Sequence, residues 1–240
     1  MERPLIGCAG WSLSSAVAEH FPVEGSHLER YAQVLPAVEI NSSFYRPHRP
    51  ATYARWRDSV PEAFRFSVKV PKQLTHEQRL GGDVQTPLER FLAEAGNLGA
   101  KLGCLLVQLP PSLHFEPEAA GAFFRALRAR TPVDVVCEPR HATWVSDAAQ
   151  ALLAQCRVDV VRADPQVVPE GAAPREVAYY RLHGSPKVYH SVYSEPYLDA
   201  LARELAAHAR AGRRTWCIFD NTASGAAQPN ALSLLQRLTR

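Results

Sequence analysis

Little in this sequence is arranged as a staple, an anchor or a one-sided electrostatic surface. Its five cysteines, Cys8, Cys104, Cys137, Cys156 and Cys217, are scattered, and no two share a C-x-x-C spacing. That pattern argues against a disulfide scaffold or a zinc ribbon and reads as small buried thiols in a reducing cytosol. No apolar run approaches the roughly 20 residues that a bilayer-spanning helix needs, and Met1-Glu2-Arg3-Pro4 leads into a strand without a signal segment. The expectation is a cytoplasmic protein with no membrane partner. Excess charge is also missing: 27 basic residues face 24 acidic ones, a formal +3, too even a balance to read nucleic-acid binding from composition. Internal repeats and linkers are absent, which makes residues 1–240 one expected domain.

What is present is a chain of 240 residues, 46% hydrophobic, a usual length for a single α/β barrel. Apolar strand-like runs cover residues 5–9, 37–41, 64–70, 103–109, 133–138, 158–165, 177–184 and 215–221, closed by glycine, proline or a sudden change to polar residues. Helical signals separate most of them. Ser26-x-x-Glu29 and Thr86-Pro87-Leu88-Glu89 have the capping-box pattern, Ser146 and Ser194 read as N-caps, and Gly212 as a C-terminal stop. Residues 117–130 place Phe123, Phe124 and Leu127 on one helical face. After the sixth strand, Pro169, Gly171 and Pro174 read instead as an irregular loop. The expected fold is α/β, a single (β/α)8 TIM barrel with the crossover helix after strand six reduced or missing.

In such a barrel the C-terminal strand ends converge and carry the site. The two-residue strand period puts Glu39 with Asn41, Ser67 with Lys69, and Tyr179 with Arg181 and His183 on shared faces. The densest cluster is Glu138-Pro139-Arg140-His141, where an apolar run ends in an acid, a guanidinium and an imidazole. Glu39 and Lys69 are either a structural ion pair or an acid–base pair, with Arg181 a rival partner for Glu39. Arg181 and His183 suit an anionic oxygen, and Gly184, Ser185, Ser224 and Gly225 offer N–H donors ahead of helices. Residues 71–85 form a long loop whose His76 and Arg79 are candidate substrate contacts. Gln108 is the polar group of its strand, and Asn221 follows Asp220 at the last strand end. Trp144 is a stacking platform or a core residue at the rim.

Several of these motifs together resemble the YecE-like family, known as domain of unknown function 72. They are Ile6-Gly7-Cys8-Ala9-Gly10-Trp11, Glu39-Ile40-Asn41-Ser42-Ser43-Phe44-Tyr45, Gln108-Leu109-Pro110-Pro111, Glu138-Pro139-Arg140-His141 with Trp144, Tyr180-Arg181-Leu182-His183-Gly184 and Phe219-Asp220-Asn221. The resemblance implies a TIM barrel and a site without an established reaction. It also implies that the first loop and the connection after strand six are shorter here than is usual in the family.

The expected function is an acid–base, hydrolase-like enzyme acting on an anionic, phosphate-bearing small molecule or nucleic acid. Its catalytic candidates are Glu39, Lys69, Glu138, His183 and Asp220. Binding candidates are Trp11, Asn41, Tyr45, His76, Arg79, Gln108, Arg140, His141, Trp144, Arg181, Gly184 and Asn221. The alternative is a non-catalytic binder of a phosphorylated ligand or nucleic acid, with Trp11, Tyr45 and Trp144 as stacking surfaces. Histidines 76, 141 and 183 with the three acids include ligand types for a divalent metal. No HxH, HExxH or Cys-rich spacing accompanies them, so a metal is not the favoured cofactor.

Overall fold

Short β-branched segments bounded by turn residues form nine parallel strands in one sheet. They are β1 (Leu5–Ala9), β2 (Ala37–Ile40), β3 (Arg65–Lys69), β4 (Leu102–Gln108), β5 (Asp134–Glu138), β6 (Val158–Val160), β7 (Arg162–Asp164), β8 (Val177–Leu182) and β9 (Arg214–Phe219). The computed structural model describes residues 3–13, 15–166 and 173–239. Hydrogen bonding runs in the order β6-β5-β4-β3-β2-β1-β9-β8-β7. β6 and β7 are separated by a single residue, Val161, so the two ends of this order are halves of one stave. The sheet is an eight-stave barrel, as the strand pattern predicts.

The sixth stave departs from the single strand expected over residues 158–165. β6 pairs with β5, Val161 N–H donates to Cys137 O at 2.8 Å, and from Arg162 onward the chain pairs with β8 instead. Below this switch of partner a side chain replaces the missing ladder. The Asp159 carboxylate accepts from the backbone N–H groups of Arg175 (2.8 Å), Glu176 (3.1 Å) and Val177 (2.9 Å), at the start of β8. Charge-assisted bonds to buried amides are among the stronger hydrogen bonds in proteins. Asp159→Asn should therefore cost about 1–2 kcal/mol, read as a lower urea midpoint with an unchanged denaturant slope.

Among the described residues eight α-helices surround the sheet: α1 (His27–Ala32), α2 (Ser42–Tyr45), α3 (Pro50–Asp58), α4 (Gln85–Ala95), α5 (Pro117–Arg130), α6 (Asp147–Gln155), α7 (Glu195–Arg210) and α8 (Ala227–Thr239). The Ser26–Glu29 capping box forms, Ser146 and Ser194 accept from Ala149 and Tyr197 N–H, and Gly212 takes φ +77 after α7. The box read at Thr86 does not form, because α4 starts at Gln85 with Leu88 N–H already bonded to Val84 O. Among the described residues no helix lies between β7 and β8. Pro169 and Gly171 lie outside the described residues.

Strand alternation divides the side chains into two layers. Ile6, Val38, Phe66, Val68, Leu105 and Val107 face the helices and join one core with Leu88, Phe123, Phe124, Leu127 and Leu198. Ala37, Cys104, Leu106, Val136, Val161, Val177, Tyr179, Trp216 and Ile218 fill the barrel interior. Gly103 makes room for the largest of these, since a Cβ there would sit 2.7 Å from the Trp216 ring. Tyr179 stacks on Trp216 at 5.8 Å and ends the apolar filling. Above it the interior is polar. All five cysteines are buried free thiols, and no helix among the described residues is long and apolar enough to cross a membrane.

Candidate active site at the mouth of the barrel

Arg181, one turn of alternation above Tyr179 on β8, is the hub of the polar interior. Its side chain is buried and every guanidinium nitrogen is engaged. Nε and Nη2 donate to the two Glu39 oxygens at 3.0 and 2.8 Å, Nη1 to Glu138 Oε2 at 2.6 Å, and Nη2 also to Asp220 Oδ2 at 3.0 Å. Tyr179 completes the Glu39 shell, donating its hydroxyl to Oε2 at 2.8 Å and lying 2.8 Å from Ser67 Oγ. One cation from β8 thus binds carboxylates from β2, β5 and the end of β9. A guanidinium is the group suited to this, because its planar fork is weakly hydrated and always charged.

Glu138 is gripped more tightly still. Arg140 donates Nε (2.9 Å) and Nη2 (2.5 Å) to its Oε1, and His183 Nε2 approaches the same oxygen at 3.4 Å. Burial alone would favour its neutral form, but Arg181, then His183 and Arg140, outweigh that and hold the carboxyl well below the usual range. His183 has the mirror-image setting. Burial disfavours its cation, yet bonds to Asp220 (Nδ1 to Oδ2, 3.0 Å) and to Glu138 prevail and raise its pKa. The imidazole is therefore anchored between two carboxylates, with Arg140 Nη2 3.3 Å from its Nε2.

Lys69, at the end of β3, has its Nζ 4.0 Å from the centre of the Phe44 ring. Among the described residues its amine makes no hydrogen bond or ion pair. Burial first, and then the Arg181 charge, push its pKa down to about 8, against the pull of Glu39, Glu138 and Asp220. His76 packs edge-on against the same Phe44 ring at 4.9 Å, its Nδ1 2.8 Å from Thr75 Oγ1. Burial and the nearby Lys69 lower the His76 pKa.

A model of the family described as protein of unknown function DUF72 matches residues 5–240. The chain belongs to the DUF72 family. The UPF0759 protein YunF of Bacillus subtilis is 23% identical, over 97% of this chain and 94% of its own length. The UPF0759 protein YecE of Escherichia coli K12 is 31% identical over a shorter stretch, 44% of this chain and 42% of the relative. A crystal structure of a DUF72 family protein from Thermotoga maritima superposes over all of both chains with a TM-score of 0.83 at 24% identity. One from Enterococcus faecalis gives 0.81 at 20% identity, covering 100% of this chain and 96% of that one. These structures show the fold.

Within this DUF72 barrel the strand-end residues separate into two groups. Glu39, Lys69, Glu138, Arg140, Arg181, His183 and Asp220 meet at the mouth. His76 adjoins them on the Phe44 ring, and most of the other candidates have partners elsewhere. Trp144 is buried in the helix layer, its Nε1 donating to Leu113 O at 2.9 Å and its ring against Phe115 and Phe124, so it is core and not a stacking platform. His141 caps the turn at Ala142–Val145 and lies 3.8 Å from His114. Arg79, at φ +53, donates to Ser112 Oγ and O. Gln108 donates to Leu109 O. Gly184 N–H is taken by Tyr193 Oη at 2.8 Å and Gly225 N–H by Thr222 O at 3.1 Å, which removes both from the expected anion cradle. Trp11 packs edge-on against Trp56, and Tyr45 is 71% exposed.

Two of the strand-end amides remain with unmet capacity. Asn221 donates Nδ2 to Ser191 O and Asn230 Oδ1, which fixes its orientation, while its buried Oδ1 and that of Asn41 have no hydrogen-bond partner. Arg181 also differs from the sequence expectation: its buried guanidinium commits four of its five N–H donors to protein carboxylates, which leaves little of it for a ligand. The same three acids are spent on it, and among the described residues no three His, Cys, Asp or Glu are grouped to hold a metal ion. Residues whose roles the sequence reading missed are Ser67, Tyr179 and Phe44. The first two were already placed by alternation on the faces of Lys69 and Arg181. Tyr189, whose ring lies edge-on to His183 at 5.9 Å from a backbone at φ +67, carries no such signal.

Proposed function

We propose that the chain is an enzyme using general acid–base catalysis on a small anionic substrate in the barrel mouth. His183 is the proton-transfer group, Asp220 and Glu138 orient it, and Lys69 and Arg140 provide the charge that holds the anion. The observation that carries this reading is the imidazole of His183 held between Asp220 and Glu138 at converging strand ends. Its raised pKa and the lowered pKa of Lys69 push two titrating groups of one mouth in opposite senses, the arrangement from which acid and base roles are built. The roles expected from sequence are thereby exchanged: Glu39 and Glu138 fix charge, and the imidazole moves the proton. Arg140 keeps 20% of its side chain exposed and presents the cationic face that Arg181 lacks.

The test follows phosphorylated sugars and carboxylates by NMR in deuterated water, scoring C–H exchange and bond cleavage. Wild type should turn over at least one compound, and His183→Gln should be slower by about two to four orders of magnitude while keeping its fold. A His183→Gln variant as fast as wild type ends the reading, and binding without turnover by both proteins favours a non-catalytic binder.

A further inference from the structure

Proton transfer at His183 uses Lys69 for its charge alone and makes no use of the amine lone pair. A buried lysine serving the fold is paired, and Lys101 shows what that looks like here. It is 8% exposed, and its Nζ donates to Arg57 O at 2.8 Å and Val60 O at 2.7 Å. Lys69, 9% exposed, has no such bonds among the described residues, although three carboxylates share its mouth. Each is occupied elsewhere: Glu39 by Arg181 and Tyr179, Glu138 by Arg181, Arg140 and His183, Asp220 by Arg181 and His183. The barrel therefore spends its acids on guanidinium and imidazole and leaves one amine unpaired against an aromatic face.

We propose that Lys69 is a nucleophile whose amine forms an imine with the carbonyl carbon of a small anionic aldehyde, ketone or 2-oxo acid. This deepens the acid–base reading and rests on it for the anionic substrate and for the proton donor. The free amine attacks the carbonyl carbon, a C–N bond forms, and the C=O electron pair moves to oxygen, which takes the first proton released by the amine nitrogen to give a neutral carbinolamine. The C–O bond then breaks. His183 supplies the proton that lets the hydroxyl leave as water, the nitrogen lone pair forms C=N, and the second amine proton is lost to solvent if the neutral imine results. No oxidant or metal is required. The charges acting on the amine are Arg181, which favours the free base, and Glu39, Glu138 and Asp220, which oppose it. A pKa of about 8 in place of 10.5 enlarges the reactive fraction at neutral pH by roughly two orders of magnitude.

The chain suits a direct test because it has four lysines, Lys69, Lys72, Lys101 and Lys187. The whole chain is incubated at pH 7 with pyruvate or with acetone, its uncharged counterpart, in the presence of sodium cyanoborohydride, which reduces an imine to a stable secondary amine. Peptide mapping then follows the adduct on each lysine. With pyruvate, Lys69 should be labelled at least about tenfold faster than the exposed Lys72 and Lys187. The pyruvate-to-acetone rate ratio should be larger at Lys69 than at Lys72 or Lys187. Lys69→Met, its fold checked by thermal melt, should show only the slow labelling of the other lysines. If acetone labels Lys69 as fast as pyruvate, the imine chemistry stands and the anionic substrate falls. If neither labels Lys69 faster than Lys187, the imine proposal is overturned, while the deuterium-exchange result on His183→Gln still judges the acid–base reading separately.

Discussion

Arg181→Ala should leave the barrel unable to hold its native fold at neutral pH, or leave it with only a few kcal/mol of stability. The side chain is 1% exposed and bonded to Glu39, Glu138 and Asp220, of which the first two are 0% and 1% exposed. Removing one partner of a buried pair typically costs about 3–5 kcal/mol, because the remaining charge stays buried and uncompensated. Here three carboxylates lose their common cation, against a total stability of about 5–15 kcal/mol for a typical domain. Urea melts at pH 7 measure the loss. The pH dependence supplies a second check. Glu138 has a folded pKa below its ordinary value, so its stabilising contribution in wild type is full above the usual carboxylate range and fades as pH falls through the lowered value. In the variant the stranded acids gain by protonation, and the deficit relative to wild type should shrink in acid. A variant that melts like wild type but fails to bind phosphate would return Arg181 to the ligand.

The opposite sign is expected for Lys69→Met, which should stabilise the protein at pH 7 by about 2–3 kcal/mol. The folded pKa of Lys69, about 8, lies below the ordinary 10.5, so the unfolded chain binds the proton more tightly. The penalty is full below about pH 8 and disappears as pH rises to the unfolded value. Methionine retains most of the stem, keeps the contact with Phe44 and removes the desolvated charge. Paired urea melts at pH 7 and pH 10.5 should show a gain at the first and little at the second. Destabilisation at pH 7 would reveal a structural partner for the amine and weaken its assignment as a reactive group. A stability gained by deleting a site residue is the usual sign that the site was built at the expense of the fold.

Much of this architecture is legible in the sequence because it depends on period. Alternation alone puts Glu39, Ser67, Lys69, Tyr179, Arg181 and His183 inside, and parallel strands in a barrel then carry their ends to one mouth. The caps at Ser26, Ser146 and Ser194 are equally local and equally readable. Pairing within the mouth is not local. Glu39 and Arg181 are 142 residues apart, and choosing among Arg181, Lys69 and Arg140 as the partner of each acid requires knowing which side chains reach the axis. Trp144 shows the same limit from the other side. An indole beside a charged cluster reads as a platform or as core, and only the position of Leu113 O shows that its N–H is already used. The partner switch at Val161 is invisible for a further reason, since a β-branched run looks the same whether it pairs with one neighbour or two in succession.

That switch makes the barrel a split ring. Seven staves are continuous, and the eighth consists of two three-residue halves, each zipped to a different neighbour. The ladder around the ring is therefore interrupted here, between β6 and β8 on one side of Val161 and between β5 and β7 on the other. Asp159 clips the gap on the side of the floor, while on the side of the mouth the gap is spanned from β5 to β8 by the ion pair between Glu138 and Arg181. The charges that define the candidate site thus also act as the clasp that sets the bore of the ring.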